Sequence, residues 1–254
     1  MSKPKVWAVI NQKGGVGKTT TTVNLAYNLA KKGKRVVLVD LDPQGNASSG
    51  LGISIRDLKT SLYDCLVNGV GPEGVSVKTS WENLLLLPAS TKLATLDTEL
   101  PATQRDRVLR LKNTLEKVEA DVILIDAPPS LGLLTVNALV ASDSVILPVQ
   151  AEYYALEGLG QLLETMQIVR TGLNKTLGVM GILITMYDGR TSLSRQVEEQ
   201  LKTHFGKFLF KSTIPRNVKL AEAPSHGKPI GLYAPGSSGA KAYDALTKEV
   251  LTHV

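Results

Sequence analysis

Short uninterrupted apolar runs alternate along the chain with longer segments in which apolar and polar positions mix at helical spacing. Runs at 6–10, 36–40, 84–88, 122–126, 144–149, 179–186 and about 209–214 have the length and content of strands buried on both faces. Helices are predicted from the phosphate-loop lysine to about residue 32, then at 57–66, 103–117, 133–141, 155–171, 192–205 and 240–251. The first carries Val23, Leu25, Ala26, Leu29 and Ala30 among polar residues and stops at Lys32-Gly33, where glycine suits a C-terminal cap. The alternation predicts an α/β fold with a mainly parallel, twisted sheet covered by helices on both faces. Residues 48–80 are less regular, with glycines at 50, 52, 69, 71 and 74. With no repeat, low-complexity tract or linker, residues 1–254 are expected to form a single domain.

The first run leads into Asn11-Gln12-Lys13-Gly14-Gly15-Val16-Gly17-Lys18-Thr19-Thr20. A strand, a glycine-rich turn and a helix form the context of a phosphate-binding loop. Glycines let main-chain N–H groups converge on an anion, and the helix start behind them adds unpaired donors and partial positive charge. Lys18 would neutralise terminal phosphates and the Thr19 hydroxyl would ligate Mg²⁺. The usual pattern, G-x-x-x-x-G-K-[ST], puts glycine where this chain has Gln12. Lys13 stands next to it and can point out of its own loop, toward a phosphate held by another subunit or simply into solvent.

This loop resembles the deviant phosphate-loop motif of the ParA/MinD class of P-loop ATPases, which the front lysine defines. The resemblance continues through Val39-Asp40-Leu41-Asp42-Pro43-Gln44-Gly45-Asn46, Ile123-Leu124-Ile125-Asp126-Ala127-Pro128-Pro129-Ser130 and Gln150-Ala151-Glu152-Tyr153-Tyr154-Ala155-Leu156-Glu157-Gly158. It reaches Ile214-Pro215-Arg216-Asn217-Val218 and Glu222-Ala223-Pro224-Ser225-His226-Gly227-Lys228-Pro229, so that nearly the whole chain is similar to the short, chromosomal (Soj-like) ParA partition ATPases. It implies a three-layer P-loop NTPase fold, ATP and Mg²⁺ as cofactors, and a dimer sandwiching two nucleotides with Lys13 crossing the interface. It also implies nucleoid DNA bound without sequence preference in the cytoplasm, and release on hydrolysis stimulated by a ParB-type centromere-binding partner.

Asp126 ends a strand where such sheets place ligands, and can hold a water on Mg²⁺ or cap the next turn. Asp40 and Asp42, two apart on an extended chain, are expected to point the same way, toward the phosphate edge. The resemblance gives Asp42 the water-orienting role and puts Asp40 in the metal's surroundings; otherwise Asp42 caps the turn before Pro43. Catalysis then rests on positioning and charge neutralisation by Lys13, Lys18 and Asp42. No strong general base or local arginine finger is evident, which predicts slow intrinsic hydrolysis. Phosphate contacts are expected from Lys13, Gly14, Gly15, Val16, Gly17, Lys18, Thr19 and Thr20. The family's Pro-Arg-Asn segment implies adenine contact by Pro215 and Asn217, a stretch that in isolation reads as an ordinary turn.

Charge sharpens the DNA expectation. Net charge is +6, and residues 170–228 hold ten of the 29 Lys/Arg but four of the 23 Asp/Glu, which leaves the remainder balanced at 19 of each. A one-sided excess points to a polyanion partner or to a solvated basic face. The expected DNA contacts are Arg190, Arg195, Arg216 and Lys219, with Lys202, Lys207 and Lys211 behind them; no interleaved aromatics suggest base stacking. Single Cys65 excludes an intramolecular disulfide framework, fits a reducing cytoplasm, and excludes an iron–sulfur reductase, which shares the loop but needs two cluster cysteines per subunit. His204, His226 and His253 are too scattered for a metal site.

No run reaches the ~18 uncharged apolar residues of a membrane span, and the start lacks a signal-peptide apolar region. With five residues before the first strand, the N-terminal helix-turn-helix of larger plasmid ParA proteins is not expected. A MinD-like, membrane-cycling ATPase is the alternative, but its basic amphipathic C-terminal helix is missing from 244–254, so no membrane anchor is expected. A further alternative is an ATP-gated scaffold whose hydrolysis is incidental; turnover with DNA and a partner peptide separates the two.

Overall fold

In a computed structural model of the chain, residues 3–100, 104–152 and 155–254 are described. The strands are β1 (Lys5–Val9), β2 (Val36–Asp40), β3 (Val77–Lys78), β4 (Leu84–Leu87), β5 (Val122–Asp126), β6 (Ser144–Gln150) and β7 (Gly178–Thr185). They form one sheet in the order β3-β4-β2-β5-β1-β6-β7. All pairs are parallel except the two-residue edge strand β3 against β4. β1 lies between β5 and β6, so the loop that follows it opens between the ends of those two strands.

The period-2 alternation of a strand decides which helix layer each residue meets. Val6, Ala8 and Ile10 face one core, with Ile123 and Ile125; Trp7 and Val9 face the other, with Leu124. The second core is closed by α1 (Lys18–Lys31) and α11 (Ser238–Val250), through Leu25, Ala26 and Leu29 and through Tyr243, Leu246 and Val250. The first is closed by α5 (Gln104–Leu115), α6 (Leu133–Ala141), α7 (Ala155–Gly172) and α8 (Ser192–Phe205). Shorter helices α2 (Asn46–Gly50), α3 (Leu62–Leu66), α4 (Leu96–Glu99), α9 (Val218–Glu222) and α10 (Ile230–Tyr233) sit in connections. The three-layer fold is as expected from the sequence.

Several local expectations are corrected. The helix expected at 57–66 is instead a turn of 3₁₀ helix at Ile55–Asp57 and a separate α3, restarted where the Ser61 N–H donates to the Asp64 carboxylate at 2.9 Å. The expected strand at 209–214 makes only isolated parallel bridges, Ile182 with Leu209 and Tyr187 with Pro215. Phe210 and Ile214 donate to β7, but the N–H groups of Lys211 and Ser212 turn to the Glu249 carboxylate, which pulls the segment off the sheet. Helix α5, whose sequence is rich in charge, is amphipathic: Val108, Leu111 and Leu115 enter the core. The predicted start of that helix at residue 103, and the Tyr153-Tyr154 pair, lie outside the described residues.

Candidate nucleotide site

Gly17, the N-cap of α1, has φ +88°, and Gly15 has φ +76°, left-handed values that side-chain-bearing residues rarely adopt. This pair folds the loop back over the start of α1. The carbonyl of Val16 accepts the Thr185 hydroxyl at 2.8 Å, tying the loop to the end of β7. The Asn11 carboxamide pins the entry, donating to the Pro148 carbonyl and accepting the Lys13 N–H. The loop is therefore fixed by contacts to its own strand neighbours before any ligand arrives.

Behind it lies a cavity of about 420 Å³ bordered by Gly14, Gly15, Gly17, Lys18, Thr19 and Thr20, with Asp42, Pro129 and Lys228 also in its wall. Lys18 is 7% exposed, and its ammonium donates to the Lys13 carbonyl at 3.0 Å. Burial lowers its pKa, while the charges of Asp126 and Asp42 oppose that shift. A cation held among few protein partners is poised for an anionic ligand.

Thr19 donates to Asp126 Oδ2 at 2.7 Å and Thr22 to Oδ1 at 3.0 Å. Asp126 is fully buried, as is Asp40, its register partner on β2. Burial, reinforced by the charge of Asp40, pushes Asp126 up to about 8; burial, reinforced by Asp42, pushes Asp40 up to about 7. Among the described residues no cluster of three or more His, Cys, Asp or Glu forms a metal cage. A hydroxyl and a carboxylate at 2.7 Å, with a second carboxylate in the cavity wall, still fit Mg²⁺. That ion takes one or two protein oxygens and completes its shell with phosphate and water.

The alternation of β2 runs on past its last residue, since Leu41 joins Val37 and Val39 in the first core and its N–H donates to the Asp126 carbonyl. Asp40 and Asp42 nevertheless meet different surroundings. Asp40 Oδ2 accepts both the N–H and the hydroxyl of Ser48, each at 2.7 Å, while its Oδ1 is buried without a partner. Asp40 thus stands beside Asp126 rather than at the cavity wall. Asp42 is in the wall, and Oδ1 also accepts the Gln44 N–H at 3.0 Å, so it caps the turn while bordering the cavity.

Lys13 leaves its own loop. Its ammonium meets Glu152 Oε2 at 2.5 Å, both groups about half exposed, and Gln150 steadies the other carboxylate oxygen at 2.6 Å. Gln12, in the position of the usual glycine, donates to the Gly158 carbonyl and to Gln161 on α7.

A second cavity of about 390 Å³ adjoins the first and is bordered by Pro215, Arg216, Asn217, Val218 and Tyr243. Asn217 caps α9, accepting the Lys219 N–H and donating to Ser238, each at 2.8 Å, which leaves one amide hydrogen and one lone pair for a ligand. The expected DNA residues do not converge on a cavity. Arg190 is forked onto Asp188, holding that carboxyl down to about 2; Arg195 donates to the Gly189 carbonyl; Lys219 pairs with Glu222. Arg216 borders the second cavity.

Ser48, Thr22, Glu152, Thr185 and Met186 were not singled out by the sequence. The run Thr19-Thr20-Thr21-Thr22 carried a signal: β-branched residues are poor helix formers, so four in succession point to hydroxyls with bonds to make.

A family model described as an AAA domain matches residues 4–179. The chain is 56% identical over 248 residues to the sporulation initiation inhibitor protein Soj of Bacillus subtilis, covering 97% of this chain and 98% of that one. It is 52% identical over 247 residues to the chromosome-partitioning ATPase Soj of Thermus thermophilus, covering 97% and 95%. Among solved structures, the cobyrinic acid a,c-diamide synthase of Mycobacterium smegmatis with bound ADP and magnesium superposes with a TM-score of 0.86 at 37% identity, covering 98% and 95%. The chain belongs to the Soj/ParA family of chromosome-partitioning ATPases.

Proposed function

We propose that this chain, read as one domain, is an ATP-driven DNA-partitioning switch. It binds ATP with Mg²⁺ in the cradle and dimerises with Lys13 reaching the partner's nucleotide. The dimer coats nucleoid DNA in the cytoplasm and lets go on hydrolysis, which is slow until a ParB-type protein stimulates it. The observation that carries this reading is the cradle itself, where a positive-φ glycine pair, a buried Lys18, the Thr19–Asp126 contact and Asp42 surround one cavity. Mg²⁺ would be held by Thr19 with Asp126 behind it and would neutralise phosphate charge. Lys18 binds and orients the terminal phosphates. Asp42, anchored by Gln44, positions the attacking water, and Pro215 and Asn217 receive the base. DNA contact by Arg190, Arg195, Arg216 and Lys219 would be with phosphates, sequence-independent and steeply salt-dependent.

The membrane-cycling alternative is not favoured. No described helix is long and apolar enough to cross a bilayer, and α11 turns its apolar face, Tyr243, Leu246 and Val250, into the core. The test is binding to random-sequence duplex DNA with ATP, with ADP and without nucleotide, over a salt series. Tight binding with ATP alone, abolished as salt rises, supports the switch; no binding in any state rejects the DNA arm. Turnover unaffected by DNA and a ParB-type peptide favours the scaffold.

A further inference from the structure

Two non-glycine residues among those described have positive φ, Asn83 at 63° and Met186 at 51°. Asparagine enters this region readily, whereas an unbranched apolar residue does so at a cost and persists only where its surroundings over-determine it. Met186 is held in that way. The preceding residue, Thr185, gives its hydroxyl to the Val16 carbonyl, and its own carbonyl accepts the Ala151 N–H. The following residue, Tyr187, donates its N–H to the Ile214 carbonyl at 3.0 Å and accepts the Arg216 N–H. One side of Met186 is therefore fastened to the phosphate loop and the other to the Pro215–Asn217 segment.

The strained residue sits at a junction. The phosphate cradle and the second cavity share four bordering residues, Gly17, Thr20, Met186 and Leu220. Two of these belong to the phosphate loop and the first turn of α1; Met186 and Leu220 supply the apolar part. Met186 is only half buried and borders both cavities, so it is open to a ligand there. Sulfur packs favourably against the edge or face of an aromatic ring, and methionine adapts its shape to what it meets.

We propose that Met186 is a specificity-determining residue, packing on the sugar–base side of the bound nucleotide so that the site prefers a nucleoside triphosphate to a bare polyphosphate chain. The left-handed backbone is what brings the side chain to the passage between the two cavities. This rests on the ATP reading, and it divides the work: backbone amides and Lys18 hold phosphates, whereas Met186 with Leu220 holds what is attached to them.

The experiment compares Met186→Gly with the wild-type chain by calorimetric titration of Mg–ATP and of Mg–tripolyphosphate. Glycine removes the thioether and accepts the same φ without strain, so the apo melting temperature should stay within about 2 °C as relief offsets the missing packing. ATP affinity should fall about tenfold, the upper range for a sulfur–ring contact, with tripolyphosphate affinity unchanged within about twofold. Met186→Leu, which keeps apolar bulk without the sulfur, should restore only part of the ATP affinity. Equal decreases for both ligands, or no decrease for ATP, would overturn the assignment of Met186 while leaving the ATP site standing. A wild-type chain that binds neither ligand would overturn the ATP reading and this inference with it.

Discussion

The phosphate cradle and the basic C-terminal third hold positive charge in opposite ways. In the cradle a single ammonium, Lys18, is buried, bonded to one backbone carbonyl and faced by carboxylates that the fold places within reach. In residues 170–228 several exposed cations are answered by a neighbouring acid, Arg190 by Asp188, Lys202 by Glu198 and Lys219 by Glu222. Exposed pairs contribute little to the fold and yield readily to a competing phosphate. The first arrangement gives one deep site whose affinity hangs on one group. The second gives a diffuse field in which no member dominates.

The sharpest test of that contrast is Lys18→Ala. It should weaken Mg–ATP binding at least about 100-fold, ~2.7 kcal/mol, because a charge-assisted contact in a buried site has no substitute. The apo fold should keep its stability, since a desolvated cation is removed. Retained affinity in a titration would dissolve the cradle's claim to be the nucleotide site.

Next in size is a pH effect from the buried pair behind the loop. Asp40 and Asp126 hold protons up to about 7 and about 8 in the fold, above the usual carboxylate range. A carboxyl with a raised folded value binds more protons folded than unfolded between the two values, so stability falls as pH rises through that window. In chelator without nucleotide, the unfolding free energy from denaturant titrations should drop from about pH 5.5 to about pH 8, by up to about 1.4 kcal/mol per pH unit for each proton retained. Asp40→Asn should flatten the slope. An unfolding free energy that holds steady or rises over this range means the carboxyls ionise normally.

These two regions also differ in how far the sequence disclosed them. The cradle was legible because its determinants are contiguous: Gly15 and Gly17 set the turn, and Lys18 and Thr19 follow by helix geometry. The strands were legible as apolar runs for the same reason. What escaped depends on partners far along the chain. The 209–214 segment is apolar at both ends, yet it leaves the sheet because Glu249, nearly 40 residues on, captures two of its N–H groups. Strand periodicity gives Asp40 and Asp42 one direction, but Ser48 captures the first while the second borders the cavity. Arg190 and Lys219 are exceptions in this respect: their acids, Asp188 and Glu222, lie only two and three residues away, and what no pattern reports is the orientation of the side chains.

A smaller effect is expected on the diffuse side. Arg190→Glu with Arg216→Glu should lower ATP-dependent DNA affinity and reduce the slope of log K against log salt by about one for each phosphate no longer neutralised, with the ATP dimer intact. Either arginine alone should cost much less. Failure of the double variant to dimerise would make these residues structural, and an unchanged slope would move the DNA surface elsewhere.

The smallest effect probes where the two modes meet. Lys13 belongs to the cradle by sequence, yet it is exposed and paired like the surface cations, its ammonium at 2.5 Å from Glu152. A half-exposed pair of this kind is worth about 0.2–1 kcal/mol. If the lysine must leave Glu152 to reach a second subunit's phosphate, that pair opposes dimerisation by the same amount. Glu152→Gln keeps the shape and the Gln150 neighbour while removing the charge. It should leave the apo melting temperature nearly unchanged and tighten the ATP-dependent dimer, in analytical ultracentrifugation, by up to about fivefold for each of its two Lys13–Glu152 pairs, since ~1 kcal/mol is a factor of about five. A dimer that weakens instead would place Glu152 in the assembled interface as Lys13's working partner, and would make this lysine a cradle residue in position only.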